Sequence, residues 1–359
     1  MDFGLSEEQV MLQETVRSFV TNECPTTRIR ELFDEGTGHD AALWSAMAEM
    51  GISGLVVPEE NGGAGLELLD LALVAEVFGE AAMPTPFLGH SLATLGVVLA
   101  ANEAERAGIL PQLASGEKTA TVALQEGERG WAVEDWTVRA QGDRISGVKD
   151  VVMHGEVVDY FLVGLEGGKL AWVDARAEGV EVSGENGIDR TRPFATVTFD
   201  DAAAEILHGS PDAAERLLGA ASVLLAADAF GAASKLIDLD VAYAHSREQF
   251  GQPIGQFQAI KHSIARLGTE IEPTRALWWF AAYAQDHLPE EASRAASMAK
   301  AHIADRAMAA ARESVELHGG YGFTWECEVQ IWFKRIMFDR SFLGTPEQHR
   351  ERCAALAGW

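Results

Sequence analysis

The chain has 359 residues, 47% of them apolar, which is enough for a large buried core and more than one domain. Its 55 acidic against 28 basic side chains give a formal charge of −27. That excludes nucleic-acid binding, since phosphate neutralisation needs basic surface, and it disfavours anionic lipid.

Cys24, Cys327 and Cys353 lie far apart and form no CxxC pair. Neither a disulfide framework nor a zinc site is expected, and reduced thiols are the simplest reading. The N-terminal MDFGLSEEQV lacks a basic segment and an apolar core, so it does not read as a signal peptide. The longest apolar stretch, about Leu217 to Phe230, is interrupted by Asp228 and many alanines and reads as short of a membrane span. A cytoplasmic protein is expected.

Residues 1–117 read as a helical domain. Ser6 and Gln9 resemble a capping box, and Val10, Leu12, Val16, Phe19 and Val20 follow at roughly helical spacing. A Gly/Pro-rich break over 54–66 precedes predicted helices at Leu68 to Ala82 and Ser91 to Ala101. The NGGAG run at 61–65 lacks the strand–loop–helix context of a phosphate loop. Residues 118–210 change period: TATVAL, RISGVKDVVMHG, DYFLVGL, KLAWVDA and ATVTFD are β-rich runs separated by Gly, Asp and Asn. A small antiparallel sheet or barrel with no helical insert is predicted there. Residues 211–359 are helical again. A long helix runs to AHSREQFG, GQPIG (251–255) ends it, and segments 256–286, 290–317 and 327–357 complete a predicted antiparallel four-helix bundle.

Two motifs carry chemistry. One runs from Arg247 through Gln249, Phe250, Gly251 and Pro253 to Gln258; the other is His318-Gly319-Gly320-Tyr321-Gly322-Phe323-Thr324-Trp325-Glu326, with Lys334-Arg335 downstream. Alone, an arginine at a helix end is most simply a solvated partner of the helix dipole, and HGGYG a helix stop. Together, at this separation and with GID-TRP-ATVTFDD at 187–201, they resemble the signature stretches of the acyl-CoA dehydrogenase family. The resemblance spans essentially the whole chain. It implies an α+β fold with an N-terminal helical domain, a middle β domain and a C-terminal four-helix bundle. It also implies FAD held between subunits. Arg247 would then face the pyrophosphate, which suits a guanidinium fork, and Gln249, Phe250 and Gln258 would contact the adenylate half. Gly319 and Gly320 would let backbone amides approach phosphate. Glu316 stands where the family usually has Gln before the HGG run, and a carboxylate there is repulsive to pyrophosphate unless protonated or turned away.

The family reaction removes a proton from Cα of an acyl-CoA thioester and so needs a positioned carboxylate. In most members a Glu precedes the Gly-Thr near the C-terminus; here Leu343 precedes Gly344-Thr345. Other members keep the Glu on the first bundle helix, which aligns near Ala220, Ala221 and Ser222, also without a carboxylate. Glu215 and Asp228 lie about 9 and 10 Å along the axis from Ala221 at ~1.5 Å per residue. The family's flavin-binding β stretches are reduced to Val122–Gly130, without Gly-Ser-Asp, and to Lys149-Asp150-Val151-Val152-Met153, without its aromatic and hydroxyl. No catalytic residue is therefore assigned.

What survives is the set that reaches a neighbour's FAD. This resembles the non-catalytic partner subunit of bacterial α2β2 acyl-CoA dehydrogenases that degrade sterol and bile-acid side chains. The resemblance implies a second acyl-CoA dehydrogenase chain as partner, acyl-CoA bound mainly by that partner, and electron-transfer flavoprotein as acceptor. Two other readings remain: a self-sufficient flavoenzyme with Asp228 or Glu215 as displaced base, and a flavin-free scaffold. Trp278, Trp279 and Phe280 read as core or interface. His262 and His318 have no ligand partner at i+4, so no metal is expected. Tyr321 and Trp325 read either as FAD contacts or as packing.

Overall fold

The computed structural model describes residues 4–127 and 130–359. Six helices open the chain: α1 (Glu7–Glu23), α2 (Thr26–Glu35), α3 (Ala41–Glu49), α4 (Leu68–Glu80), α5 (Phe87–Ala100) and α6 (Glu103–Ala114). The predicted capping box closes α1: Gln9 N donates to Ser6 Oγ at 3.2 Å, and Ser6 N to Gln9 Oε1 at 3.0 Å. Helices α2, α3 and α6 were not predicted. For α6 the signal was present, since Asn102 and Glu105 cap its start reciprocally.

Among the described residues eight strands follow: β1 (Ala120–Ala123), β2 (Arg139–Gln141), β3 (Arg144–Met153), β4 (Tyr160–Gly164), β5 (Leu170–Asp174), β6 (Val180–Glu185), β7 (Phe194–Ala203) and β8 (Glu205–Ile206). They form two four-stranded sheets, ordered β1-β4-β5-β8 and β2-β3-β7-β6. The predicted all-antiparallel arrangement needs one correction, because β1 and β4 pair in parallel with Ala120 opposite Tyr160. Alternation of apolar residues reports which face is buried but not the direction of pairing. Val138, Ile145, Val152, Phe161, Val173, Val197 and Phe199 form a second core shared by strands of both sheets.

The C-terminal part contains α7 (Ala213–Ser246), a hairpin of β9 (Glu248–Gln249) and β10 (Gln252–Pro253), α8 (Gln258–Ile271), α9 (Arg275–His287), α10 (Pro289–Leu317), α11 (Val329–Ser341) and α12 (Pro346–Leu356). Two predicted long helices are each broken in two. Pro273, which has no N–H to donate, sits in a 3-10 turn between α8 and α9. Leu343 and Gly344, with φ of 54° and 101°, separate α11 from α12. Among the described residues, α7 is the one helix long and apolar enough to cross a membrane by length and composition, contrary to the sequence expectation. Its apolar window is 94% buried inside the protein, so it serves here as the central core helix. Trp278 is fully buried beside it, 6.4 Å from Phe230 between ring centroids, whereas Phe280 is exposed.

Candidate cofactor-binding site

Arg247 caps the end of α7: its N–H still donates to Tyr243 O, while its own carbonyl accepts from Ile254 N at 2.8 Å. The chain then turns sharply. Gln249 pairs with Gln252 across a two-residue turn in which Phe250 and Gly251 take φ of 54° and 79°. Left-handed backbone costs a non-glycine residue about 1–2 kcal/mol, and here it projects Phe250 outward, 91% exposed, with its ring edge-on to Phe257 at 6.0 Å.

The hairpin meets the C-terminal end of α10 across a concavity of about 720 Å³ lined by Tyr243, Arg247, Gln249, Ile254, His318, Gly319, Gly320 and Tyr321, among others. Four residues singled out in the sequence, Arg247, Gln249, Gly319 and Gly320, thus come together. Phe250 stands at the hairpin tip and Gln258 is the exposed first residue of α8; neither lines the concavity. Glu316 is exposed on α10 and does not line the concavity. Gly319 has φ of 60°, and a Cβ placed on Gly319 or Gly320 would meet nothing within 4 Å.

The donor set fits a dinucleotide's pyrophosphate. Arg247 is exposed and makes no ion pair among the described residues, and the glycine backbone beside it is open. Tyr243 was missed in the sequence, although it lies one helical turn before Arg247 and so on the same face. Trp325 proves to be mainly packing: its Nε1 donates to Asp34 Oδ1 at 2.9 Å and Lys334 lies 4.3 Å over its ring.

In the second region, where a base would stand in this chain, Trp131, Thr345, Gln348 and Arg352 line a concavity of about 760 Å³, but the base position itself is apolar and buried. Leu343 is 1% exposed. His349 Nε2 lies 3.0 Å from Leu343 O, and its ring packs against Trp131 at 4.6 Å. A Cβ on Gly344 would sit 2.8 Å from Trp131, so the segment is tightly filled. On the β side, Lys149 is fully buried; burial pushes its ammonium down to about 8 against the pull of Glu126, to which it is hydrogen-bonded. Val151 and Met153 occupy the places of the missing aromatic and hydroxyl. Glu128 and Arg129, at the end of the other reduced stretch, lie outside the described residues.

Both displaced-base candidates are engaged in ion pairs. Asp228 is 1% exposed and receives two bonds of 2.8 Å from Arg335 and a further ion pair from Arg192. Burial would raise its carboxyl, but Arg192 and Arg335 hold it at about 2. Arg335 also reaches Met83 O and Thr191 Oγ1, and Arg192 pairs with Asp339. The cluster therefore ties the N-terminal helices, the β region and the bundle together. A buried carboxylate held ionised between two guanidinium groups is a weak acceptor for a substrate proton. Glu215 is partly exposed and paired with Arg352.

Fold and site together define an acyl-CoA dehydrogenase-type chain. Residues 6–117 match the model of the acyl-CoA dehydrogenase N-terminal domain and residues 208–357 that of its C-terminal domain, and the chain belongs to this family. It is 32% identical to the acyl-CoA dehydrogenase IpdE2 of Mycolicibacterium smegmatis, over 98% of this chain and 99% of that one. It is 31% identical to the acyl-CoA dehydrogenase FadE34 of Mycobacterium tuberculosis, over 98% of this chain but only 48% of that protein. Among solved structures it is similar to a variant of the Tcur3481-Tcur3483 steroid ACAD, with a TM-score of 0.90, 29% identity and 98% of each chain covered.

Proposed function

We propose that this chain is the non-catalytic partner subunit of a heterotetrameric, FAD-dependent acyl-CoA dehydrogenase that desaturates an acyl-CoA thioester, with a steroid side chain as the acyl group. The observation that carries this reading is an asymmetry. The Arg247 concavity offers an exposed guanidinium and open glycine backbone, while the base position in the chain's own cleft is taken by a buried leucine, Leu343, packed with His349 and Trp131.

Bound FAD would supply hydride acceptance from the thioester's Cβ. This chain's contribution is to hold the dinucleotide of its neighbour. Arg247 offers a charge-assisted fork to pyrophosphate, and the open amides beside Gly319 and Gly320 can approach it closely. Gln249 and Phe250 on the hairpin and Gln258 at the start of α8 would contact the adenylate half. The base comes from the partner, since Leu343 accepts no proton. The steroid class is supported by likeness to a steroid ACAD named for two gene products, and the paired arrangement by a relative long enough to hold two such units. A cytoplasmic setting with electron-transfer flavoprotein as acceptor belongs to the same proposal.

The test is co-expression with the catalytic chain, wild type against Arg247→Ala. We expect a yellow complex that loses most of its FAD in the variant, and a colourless chain when this subunit is made alone. Unchanged flavin in the variant would instead favour the scaffold reading. A flavin-saturated homotetramer that oxidises acyl-CoA would defeat the proposal altogether.

A further inference from the structure

The loop that leaves the glycine turn gathers cations that no carboxylate neutralises. Trp325 lies two residues past the 3-10 turn Gly319–Phe323, and its ring packs on Phe33 of α2 with 5.3 Å between centroids. Three basic side chains surround this aromatic pair. Lys334 Nζ stands 4.3 Å from the Trp325 centroid and 5.4 Å from that of Phe33. The Arg190 guanidinium lies 5.3 Å over Trp325, and that of Arg30 lies 5.9 Å over Phe33. They come from α11, from the segment before β7 and from α2, so tertiary packing brings them together.

Among the described residues none of the three makes an ion pair, whereas Arg28, Arg192 and Arg335 close to them in sequence all do. Their hydrogen bonds go to backbone: Arg30 Nη1 donates to Trp325 O at 2.9 Å and Arg190 Nη1 to Asp34 O at 3.2 Å. Arg30 Nη2 is buried without an acceptor. The acids nearby are used elsewhere. Asp34 Oδ1 accepts from Trp325 Nε1, and Asp189 Oδ1 accepts from Thr191 N and Oγ1. Burial, with Arg30 and Arg190 alongside, pushes the Lys334 ammonium below its usual range against the pull of Asp189. Contact with the aromatic faces offsets part of the repulsion among like charges. In a chain of 55 acidic and 28 basic side chains, three cations left together without a carboxylate form a local positive field that suits an external anion.

Phe323 and Ile188, two residues before Trp325 and Arg190, are exposed as well. Aromatic side chains beside arginine are the composition of protein-contact surfaces. The position points to one partner, because the same turn carries Gly319, Gly320 and Tyr321 of the Arg247 concavity, and Arg30 acts electrostatically on Tyr321. The patch thus continues the surface on which the proposed function seats the catalytic subunit. We propose that Arg30, Arg190 and Lys334, gathered on Trp325 and Phe33, form a docking surface for an acidic, Asp- or Glu-bearing segment of the catalytic partner subunit. This inference rests on the partner-subunit reading and adds a contact that is separate from cofactor binding.

The experiment measures the affinity of this chain for the catalytic chain at about 50 and about 500 mM NaCl, since the higher salt screens charges beyond a few Å. The chains compared are wild type, Arg190→Glu, Arg190→Lys, Lys334→Gln and Arg247→Ala. Arg190 is exposed, so its reversal tests the charge without opening the core, and a thermal melt checks the fold. Arg190→Glu and Lys334→Gln should each weaken association about tenfold at low salt and by much less at high salt, and Arg190→Lys should stay near wild type. Complexes formed by these variants should keep wild-type FAD content, while Arg247→Ala should lose FAD. Wild-type affinity of both Arg190→Glu and Lys334→Gln at low salt overturns the docking surface and leaves the partner reading standing. Unchanged assembly with a raised KM for electron-transfer flavoprotein in Arg190→Glu also overturns it, by giving the patch to the electron acceptor. If the wild-type chain does not associate with the catalytic chain at all, the partner reading fails and the docking surface with it.

Discussion

Asp228 holds two guanidinium groups in the interior, and Leu343 fills the place of a carboxylate. These two residues set the chemistry this chain can perform. Replacing Asp228 by Asn would leave Arg192 and Arg335 short of one negative charge, and breaking a buried pair from one side costs about 3–5 kcal/mol. Urea denaturation of Asp228→Asn should show that loss; a midpoint equal to wild type would contradict the lock. In the converse experiment, Leu343→Glu should produce no dehydrogenase activity in the isolated chain. It should also destabilise the fold, since a buried unpaired carboxylate costs several times the thermal energy. Dye reduction with an acyl-CoA, set beside a thermal melt, checks both outcomes. The loss at Leu343 was legible in the sequence because the Gly-Thr that follows it survives. The role of Asp228 was not, because its partners stand 36 and 107 positions away. An isolated Asp on an apolar helix reads equally well as a base or as half of an ion pair.

Elements are positioned by close backbone approach. Helices α4 and α7 cross where two glycines face each other's main chain. A Cβ on Gly79 would lie 2.0 Å from Asp228 O, and one on Gly231 would lie 2.0 Å from Glu76 O. Gly79→Ala or Gly231→Ala must force the helices apart, and overpacking of this kind costs about 1–3 kcal/mol. Equilibrium unfolding of either variant measures the cost; wild-type stability in both would show that the crossing is not tight. The same shift would disturb Asp228, one turn from Gly231 on α7, so the double variant with Asp228→Asn should be non-additive. The order of helices, strands and helices was legible from hydrophobic period. The breaks at Pro273 and Leu343-Gly344 were less so, because local helix signals continue on both sides. The parallel pairing of β1 with β4 was invisible, since the chain between them first contributes β2 and β3 to the other sheet before it returns. The open Arg247 concavity was half legible: spacing located Arg247, Gln249 and the glycines, while Tyr243 and His318 join them only through the stacking of α7 against the end of α10.

Across the whole molecule, three buried histidines act as neutral clamps. His90 ties α5 to Ser53 O and to Ala120 N; His154 reaches Gly38 O; His349 reaches Leu343 O. Burial holds His90 at about 4 and His154 and His349 at about 3, below the ordinary 6.5. Between those values and 6.5 the unfolded chain binds protons that the folded chain refuses. Stability is therefore complete above about pH 6.5 and falls as the pH drops, by at most about 1.4 kcal/mol per unit for each histidine. Unfolding midpoints at pH 7.5 and 5.5 should show this fall, and His154→Gln should shrink the difference between the two pH values. An unchanged difference would remove His154 from the account.

The assembly itself offers the most direct test of a subunit that completes its partner's cofactor site. Native mass spectrometry of this chain with its catalytic partner reads the number of FAD molecules per complex. The proposed function predicts two FAD in a tetramer of two unlike pairs, lost when Arg247→Ala is introduced in this chain alone. Four FAD per tetramer, or a homotetramer of this chain carrying its own FAD, would contradict it.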